Sequence, residues 1–287
     1  MNGTHNVTYQ NSTPLAVAYS FVVLLGLPLN ALSLWILVCR HGLRAANTII
    51  MANLAVSDLL LILSLPLRIV LHIKPSETLM KIPCQLMTYF FRANILSSSF
   101  FITFISVDRM LALVYPLRSR VVRSPRTSGI ACGAVWLLAM TYSISHVFRS
   151  ESFYTCIPMI TWYNDFNTTI ANELSPPFFA LTLSVCLPLL FIVNVISTAR
   201  VVWSLNNRQM DLAGYSVKRV MLIFLVNVLI FALFLPFIVI LLWNLNQLNL
   251  ELLEVTLCLS TFNCCLDPLV YYFALDGFWE RKKNLDV

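Results

Sequence analysis

The sequence predicts an all-α membrane protein, a bundle of seven transmembrane helices. Three observations carry this. Hydrophobic residues make up 59% of the chain and charged residues only 11%, where a soluble domain carries about 25% charged. The apolar residues fall into seven runs of membrane length, at 15–40, 47–73, 82–108, 127–147, 175–200, 219–244 and 251–273. Each is close to the roughly 20 residues that cross a hydrocarbon core about 30 Å thick. Basic residues alternate between the connections. Backbone polar groups inside a bilayer must be satisfied internally, so runs of this length are expected to be helices.

The basic residues set the expected orientation. Arg40 and Arg44 follow span one, and Arg118, Arg120, Arg123 and Arg126 follow span three. Arg200, Arg208, Lys218 and Arg219 lie between spans five and six, and Arg281, Lys282 and Lys283 follow span seven. All belong to connections on one side, expected to be cytoplasmic. The opposite side holds Lys74, Lys81 and Arg149 against Glu77, Glu151, Asp165, Glu173, Glu251 and Glu254. The net charge of +6 is therefore a topology signal and argues against nucleic acid as a partner. The reading divides the chain into an outer N-terminus at 1–14, the bundle at 15–273, and a cytoplasmic amphipathic helix and tail at 274–287. No signal peptide is expected, because no charged stretch, short apolar core and cleavage site open the chain.

Glycosylation triplets agree with this orientation. Asn2, Asn6 and Asn11 begin such triplets in the head, and Asn167 begins one between spans four and five. All four are on the side expected to be outside. Cys84 at the head of span three and Cys156 in the next outer connection are permitted a disulfide in that oxidising compartment.

Each span contributes a polar mark. Span one has Asn30 after Pro28. Span two has Asp58 and then Leu65-Pro66-Leu67-Arg68. Span three runs from Cys84 through Arg92 to Asp108-Arg109, about 37 Å of helix at about 1.5 Å per residue. Span four has Trp136, span five Pro188, span six Phe234-Leu235-Pro236, and span seven Asn263 and Asp267-Pro268-Leu269-Val270-Tyr271. Prolines in five of seven spans, each near a polar or aromatic residue, describe a bundle built to rearrange.

This ordered set resembles the rhodopsin-like (class A) G-protein-coupled receptors across residues 15 to 283. Within them it is similar to the purinergic-like branch, which includes nucleotide, lysophospholipid and hydroxy-carboxylic-acid receptors. Asp267, Phe234, Ser64-Leu65-Pro66-Leu67-Arg68 and the stretch Leu266 to Phe273 carry that finer likeness. The chain departs from the family at Met110, Ile196 and Leu233. The resemblance implies a plasma-membrane receptor, N-terminus outside, that activates a heterotrimeric G protein and is not an enzyme. It also implies an activation switch of Asp108, Arg109, Phe234, Pro236, Asp267, Pro268 and Tyr271. In it Asp108 would hold Arg109 at rest, and Tyr271 would fill the space behind the arginine on activation.

Two buried constellations can be read from residue type. Arg68 lies about 15 Å outward of Asp58, and Arg92 about 12 Å inward of Cys84, both in the outer half. Intramembrane arginines mark ligand sites or pathways, and a guanidinium suits a carboxylate or phosphate. The alternative is structural pairing with Glu251 or Glu254, or snorkelling to water. Tyr89, His146, Arg149 and Asn244 are further candidates for the same pocket. The outer part of span six, Phe237 to Leu242, has no cation. That favours one acidic head with an apolar tail, a lipid-like ligand, with a small carboxylate or a nucleotide as the alternative.

Asp58, Asn94, Ser98, Asn263 and Asp267 form the second set. Two acids with neutral oxygens suit a small hard cation, and the resemblance implies an allosteric sodium ion. The alternative is a water cluster with one acid protonated. A cation or proton transporter is the competing class, though no internal repeat is visible. An intramembrane enzyme is a third, but His5, His41, His72 and His146 lie in the head, loops or span ends.

Overall fold

The structure, a computed structural model, describes residues 12–73, 81–115, 123–149, 178–207, 229, 232–236, 239 and 250–274. The expected glycosylation sites Asn2, Asn6, Asn11 and Asn167, together with Cys156, Asn244 and the tail from 275, lie outside the described residues. The side chains of Cys84, His146, Arg149 and Tyr271 also lie outside them.

Helix α1 spans Thr13–Trp35, with proline in its first turn, and runs on as a π-helical turn, Ile36–His41. Gly42 ends it at φ 69°, a left-handed conformation glycine adopts without a Cβ penalty. Helices α2 (Ala46–Ile73), α3 (Lys81–Val114), α4 (Pro125–Arg149) and α5 (Phe178–Asn207) follow. The last span is two helices, α6 (Leu250–Thr261) and α7 (Asn263–Ala274), separated by a turn at Phe262. Residues 232–236 are helical in span six. All seven expected spans thus carry helix among the described residues, and no strand occurs among them. Among the described residues, five helices are long and apolar enough to cross a membrane.

The boundaries moved where polar residues continue a helix beyond its apolar run. α3 continues past Arg109 to Val114, and α5 past Arg200 to Asn207. Hydropathy marks where the lipid stops, whereas intrahelical hydrogen bonds persist into water.

The helices bury one stripe and expose apolar residues on the other. In α1 the buried residues are Ala16, Tyr19, Val22, Gly26 and Asn30, at spacings of three and four. The opposite face exposes Val17, Phe21, Leu24 and Leu25. A helix apolar all round, with its polar residues on the buried stripe, has a lipid solvent. α3 is the packing centre, in contact with α2, α4 and α5, while α2 also meets α1, α4 and α7. At Gly26 an added Cβ would sit 2.9 Å from Ile62 Cδ1, so α1 and α2 meet where a side chain is missing.

Polar ties hold these contacts. Pro268 has no N–H, which leaves the carbonyl of Cys264, four residues back, without its helical donor. Asn30 supplies one, donating to that carbonyl at 2.6 Å and to Gly26 O at 3.0 Å. Trp136 Nε1 donates to Asn53 Oδ1 at 2.9 Å, joining α4 to α2. Asn194 donates to Thr103 Oγ1 at 2.8 Å, joining α5 to α3.

Candidate functional site

The polar residues collect at three depths. The central one is built on α2, α3 and α7. Asp58 is fully buried, and its Oδ1 lies 3.1 Å from Asn94 Nδ2, 3.4 Å from Ser98 Oγ and 3.6 Å from the Cys264 thiol. The Asn94 amide also lies 3.1 Å from Ser57 Oγ and 3.0 Å from Ser98 Oγ, and Ser57 bonds Ser97 at 2.6 Å. Asp267 is fully buried beside Asp58. Yet Asp58 Oδ2, both Asp267 oxygens and both polar atoms of the Asn263 amide take no hydrogen bond from the described residues. All five of these sequence-predicted residues therefore lie in the buried interior, and Asp58, Asn94, Ser98 and Asp267 meet in one cluster. Two carboxyls so placed need a proton or a cation between them. Among the described residues no three His, Cys, Asp or Glu side chains could hold a metal ion. The donors here are carboxyl, amide and hydroxyl oxygens, which suit a hard monovalent cation rather than zinc.

Sequence reasoning missed Ser57, Ser97 and Cys264. Helical spacing held the signal. Ser97 is three residues from Asn94 and therefore on its face, and Ser57 adjoins Asp58.

A second tier, toward the N-terminal end of α1, is built on α1, α2, α3 and α6. Arg68 is 2% exposed, with its guanidinium carbon 5.1 Å from the ring centre of Tyr19 and 5.6 Å from that of Phe91. Such contacts suit a cation with its charge spread over a plane. Because Phe91 precedes Arg92, which is itself 4% exposed, Arg68 lies level with that turn of α3. His72 stacks on Tyr19 at 5.7 Å, and its Nε2 is 3.8 Å from Glu254 Oε2. Tyr19 and His72 were not anticipated as members. The signal for His72 was its spacing of four from Arg68; for Tyr19 there was none before α1 was docked. Tyr89, expected near the arginines, donates its hydroxyl to Met140 Sδ and so is turned toward α4.

Toward the C-terminal end of α3, Asp108, expected to hold Arg109 at rest, pairs with Arg123. Arg123 Nε donates to Oδ1 at 2.7 Å and its Nη2 to Oδ2 at 3.2 Å. Adjacent side chains on a helix diverge by about 100°, so a carboxylate and the next residue meet poorly. Arg123 instead arrives from the connection before α4, whose start Ser124 caps by accepting the Thr127 N–H at 3.1 Å. Phe234, of span six, is fully buried in the core, and Pro236 is partly buried two residues on.

Comparison with known proteins bears on the family of the chain. Residues 29–271 match the family model described as 7 transmembrane receptor (rhodopsin family). The chain is 33% identical to lysophosphatidic acid receptor 4 of Homo sapiens over 91% of this chain and 74% of the relative. It is 32% identical to lysophosphatidic acid receptor 5 of Mus musculus, over 99% and 84% of the two chains. It is also 32% identical to the S-geranylgeranyl-glutathione receptor P2RY8 of Homo sapiens, over 94% and 78%.

The Asn94 amide joins three oxygens of the central cluster. Asn94→Ala is expected to cost about 1–3 kcal/mol, the penalty for buried polar groups stripped of partners. A lower thermal midpoint in detergent would show it; an unchanged midpoint would mean that water replaces the amide without loss.

Proposed function

Because the chain belongs to the rhodopsin family of seven-transmembrane receptors, we propose that it binds an amphiphile with an anionic head and one hydrocarbon chain and activates a heterotrimeric G protein. It is a multi-pass membrane receptor and not an enzyme. Its N-terminus faces outward, in keeping with the basic residues of the other side. The observation that carries the ligand reading is Arg68, a guanidinium buried in the outer half of an apolar bundle between two aromatic rings. Arg92 on α3 is its partner in holding the head. His146, Arg149 and Asn244 are the further candidates around them. The relatives' names add the chemistry: a lysophosphatidic acid and a prenylated glutathione both join an acidic head to one long apolar chain.

The central cluster is proposed to hold sodium between Asp58 and Asp267, with Asn94, Ser98 and Asn263 as neutral donors. Its support is the set of buried oxygens without a donor. Asp108 and Arg109 are proposed as the switch at the inner end, with Phe234, Pro236, Asp267, Pro268 and Tyr271 passing movement of spans six and seven to it. A disulfide between Cys84 and Cys156 is proposed to tie the outer connection to α3.

GTP exchange on a G protein by purified receptor in vesicles tests the ligand. A 1-acyl lysophosphatidic acid or S-geranylgeranyl-glutathione should stimulate it; the uncharged monoacylglycerol or the glutathione dimethyl ester should not. A charge-assisted hydrogen bond is worth about 1.5–3 kcal/mol. At about 1.4 kcal/mol per tenfold, Arg68→Ala or Arg92→Ala should weaken the acid at least about tenfold, with lysine restoring part. Equal potency of acid and ester on the wild type would end the anionic-ligand reading.

In the same assay Asp108→Asn should raise basal exchange, and Arg123→Ala should raise it too, because it removes the carboxylate's bidentate partner. Arg109→Ala should lose exchange while keeping ligand binding. Full coupling by Arg109→Ala would contradict the switch.

Replacing a bulky cation by sodium at constant ionic strength should lower agonist affinity by linkage, and Asp58→Asn should abolish that dependence. Agonist affinity indifferent to the exchange would exclude the sodium site.

A further inference from the structure

Tyr19 of α1 is fully buried and carries two side chains of α2 on its ring. The Arg68 guanidinium carbon lies 5.1 Å from the ring centre, and the His72 imidazole stacks on the ring at 5.7 Å with the planes 14° apart. Arg68 and His72 are four residues apart on α2 and rise on one face of it. α2 packs against both α1 and α3. From α3, Phe91 brings a second ring to Arg68, at 5.6 Å. Two helices packed on α2 thus each give its guanidinium an aromatic neighbour. The Tyr19 ring is held in turn by His72, whose Nε2 lies 3.8 Å from Glu254 Oε2 of α6.

A ring face attracts a guanidinium through its quadrupole. The contact fixes where the cation sits and offers its N–H groups no oxygen. A carboxylate in the same place would fix the cation too, but would take the N–H groups that an acidic head needs. The donors of arginine form a planar fork, so their value to a phosphate or carboxylate depends on where the fork faces. A long side chain ordered only when a ligand arrives loses rotamer freedom at that moment. One already held against a ring has less to lose. We propose that Tyr19 is a positioning residue of the acid-binding site. Its ring holds the Arg68 guanidinium ready for the ligand's anionic head, and through it α1 takes part in recognition without touching the ligand. The ring carries the role and the hydroxyl does not, because the Arg68 and His72 contacts are both made to the ring. This rests on Arg68 being the anchor for the ligand's acid.

The test is binding of 1-oleoyl lysophosphatidic acid to the full chain in lipid nanodiscs, with 1-oleoyl glycerol as the neutral probe. Tyr19→Leu keeps an apolar side chain and removes the ring. It should weaken the acid about tenfold, the scale of one desolvated cation–π contact, and leave the neutral probe unchanged. Tyr19→Phe, which keeps the ring, should bind the acid as the wild type does. Arg68→Gln should weaken the acid at least as much as Tyr19→Leu. The double variant should be no weaker than Arg68→Gln alone, since the ring then has no guanidinium to position. Unchanged acid binding by Tyr19→Leu alongside weaker binding by Arg68→Gln would overturn the positioning role and leave the anchor standing. So would additive losses in the double variant, Tyr19→Phe as weak as Tyr19→Leu, or an equal loss of both probes. Unchanged acid binding by Arg68→Gln, or no binding of the acid by the wild type, would remove the anchor and the positioning role with it.

Discussion

Pro268 cannot donate a hydrogen bond, and the carbonyl it leaves bare at Cys264 is taken by Asn30, 2.6 Å away on α1. In an apolar solvent no water can do this in its place, and an unsatisfied backbone group costs several kcal/mol. Satisfying the Cys264 carbonyl and docking α1 on α7 are therefore one event. α2 is fixed against α1 at Gly26, and α7 comes to lie where Asp267 meets Asp58. Apolar packing alone would not select this arrangement, since lipid tails contact leucine as readily as another helix does. What makes the helices particular about their neighbours is the need to pair their polar atoms.

That need also explains why polar residues gather in tiers. α2 carries Asp58 in the central tier and Arg68 in the outer one, ten residues or about 15 Å apart. The last span does the same with Asp267 and Glu254, thirteen residues apart. Two helices thus share a polar contact at each of two depths, Asp58 with Asp267 and His72 with Glu254. A shift of the last span that changes one contact must change the other unless the chain bends between them, and the turn at Phe262 lies in between. The outer tier can be coupled to the central one through a single jointed element. The inner tier is separate: Asp108 is held from the side of α4 by Arg123.

The sequence by itself determined the class and the helices. Composition and run length required membrane helices, and the ordered marks from Asn30 to Asp267-Pro268 pointed to the receptor family that the comparison supports. The central cluster was also legible, because an acid inside a span has nowhere to turn but inward, and residues at spacings of three and four from each other must share its face. Partners drawn from other helices were not legible. Tyr19 under Arg68, Glu254 beside His72, Asn194 on Thr103 and Arg123 on Asp108 are separated by 49, 182, 91 and 15 residues. Helical periodicity says which way a side chain faces and is silent on rotation and depth of the neighbour. Those are set by where each helix docks, and only the tertiary structure decided that Asp108 turns to Arg123 and that Arg68 lies over the ring of Tyr19.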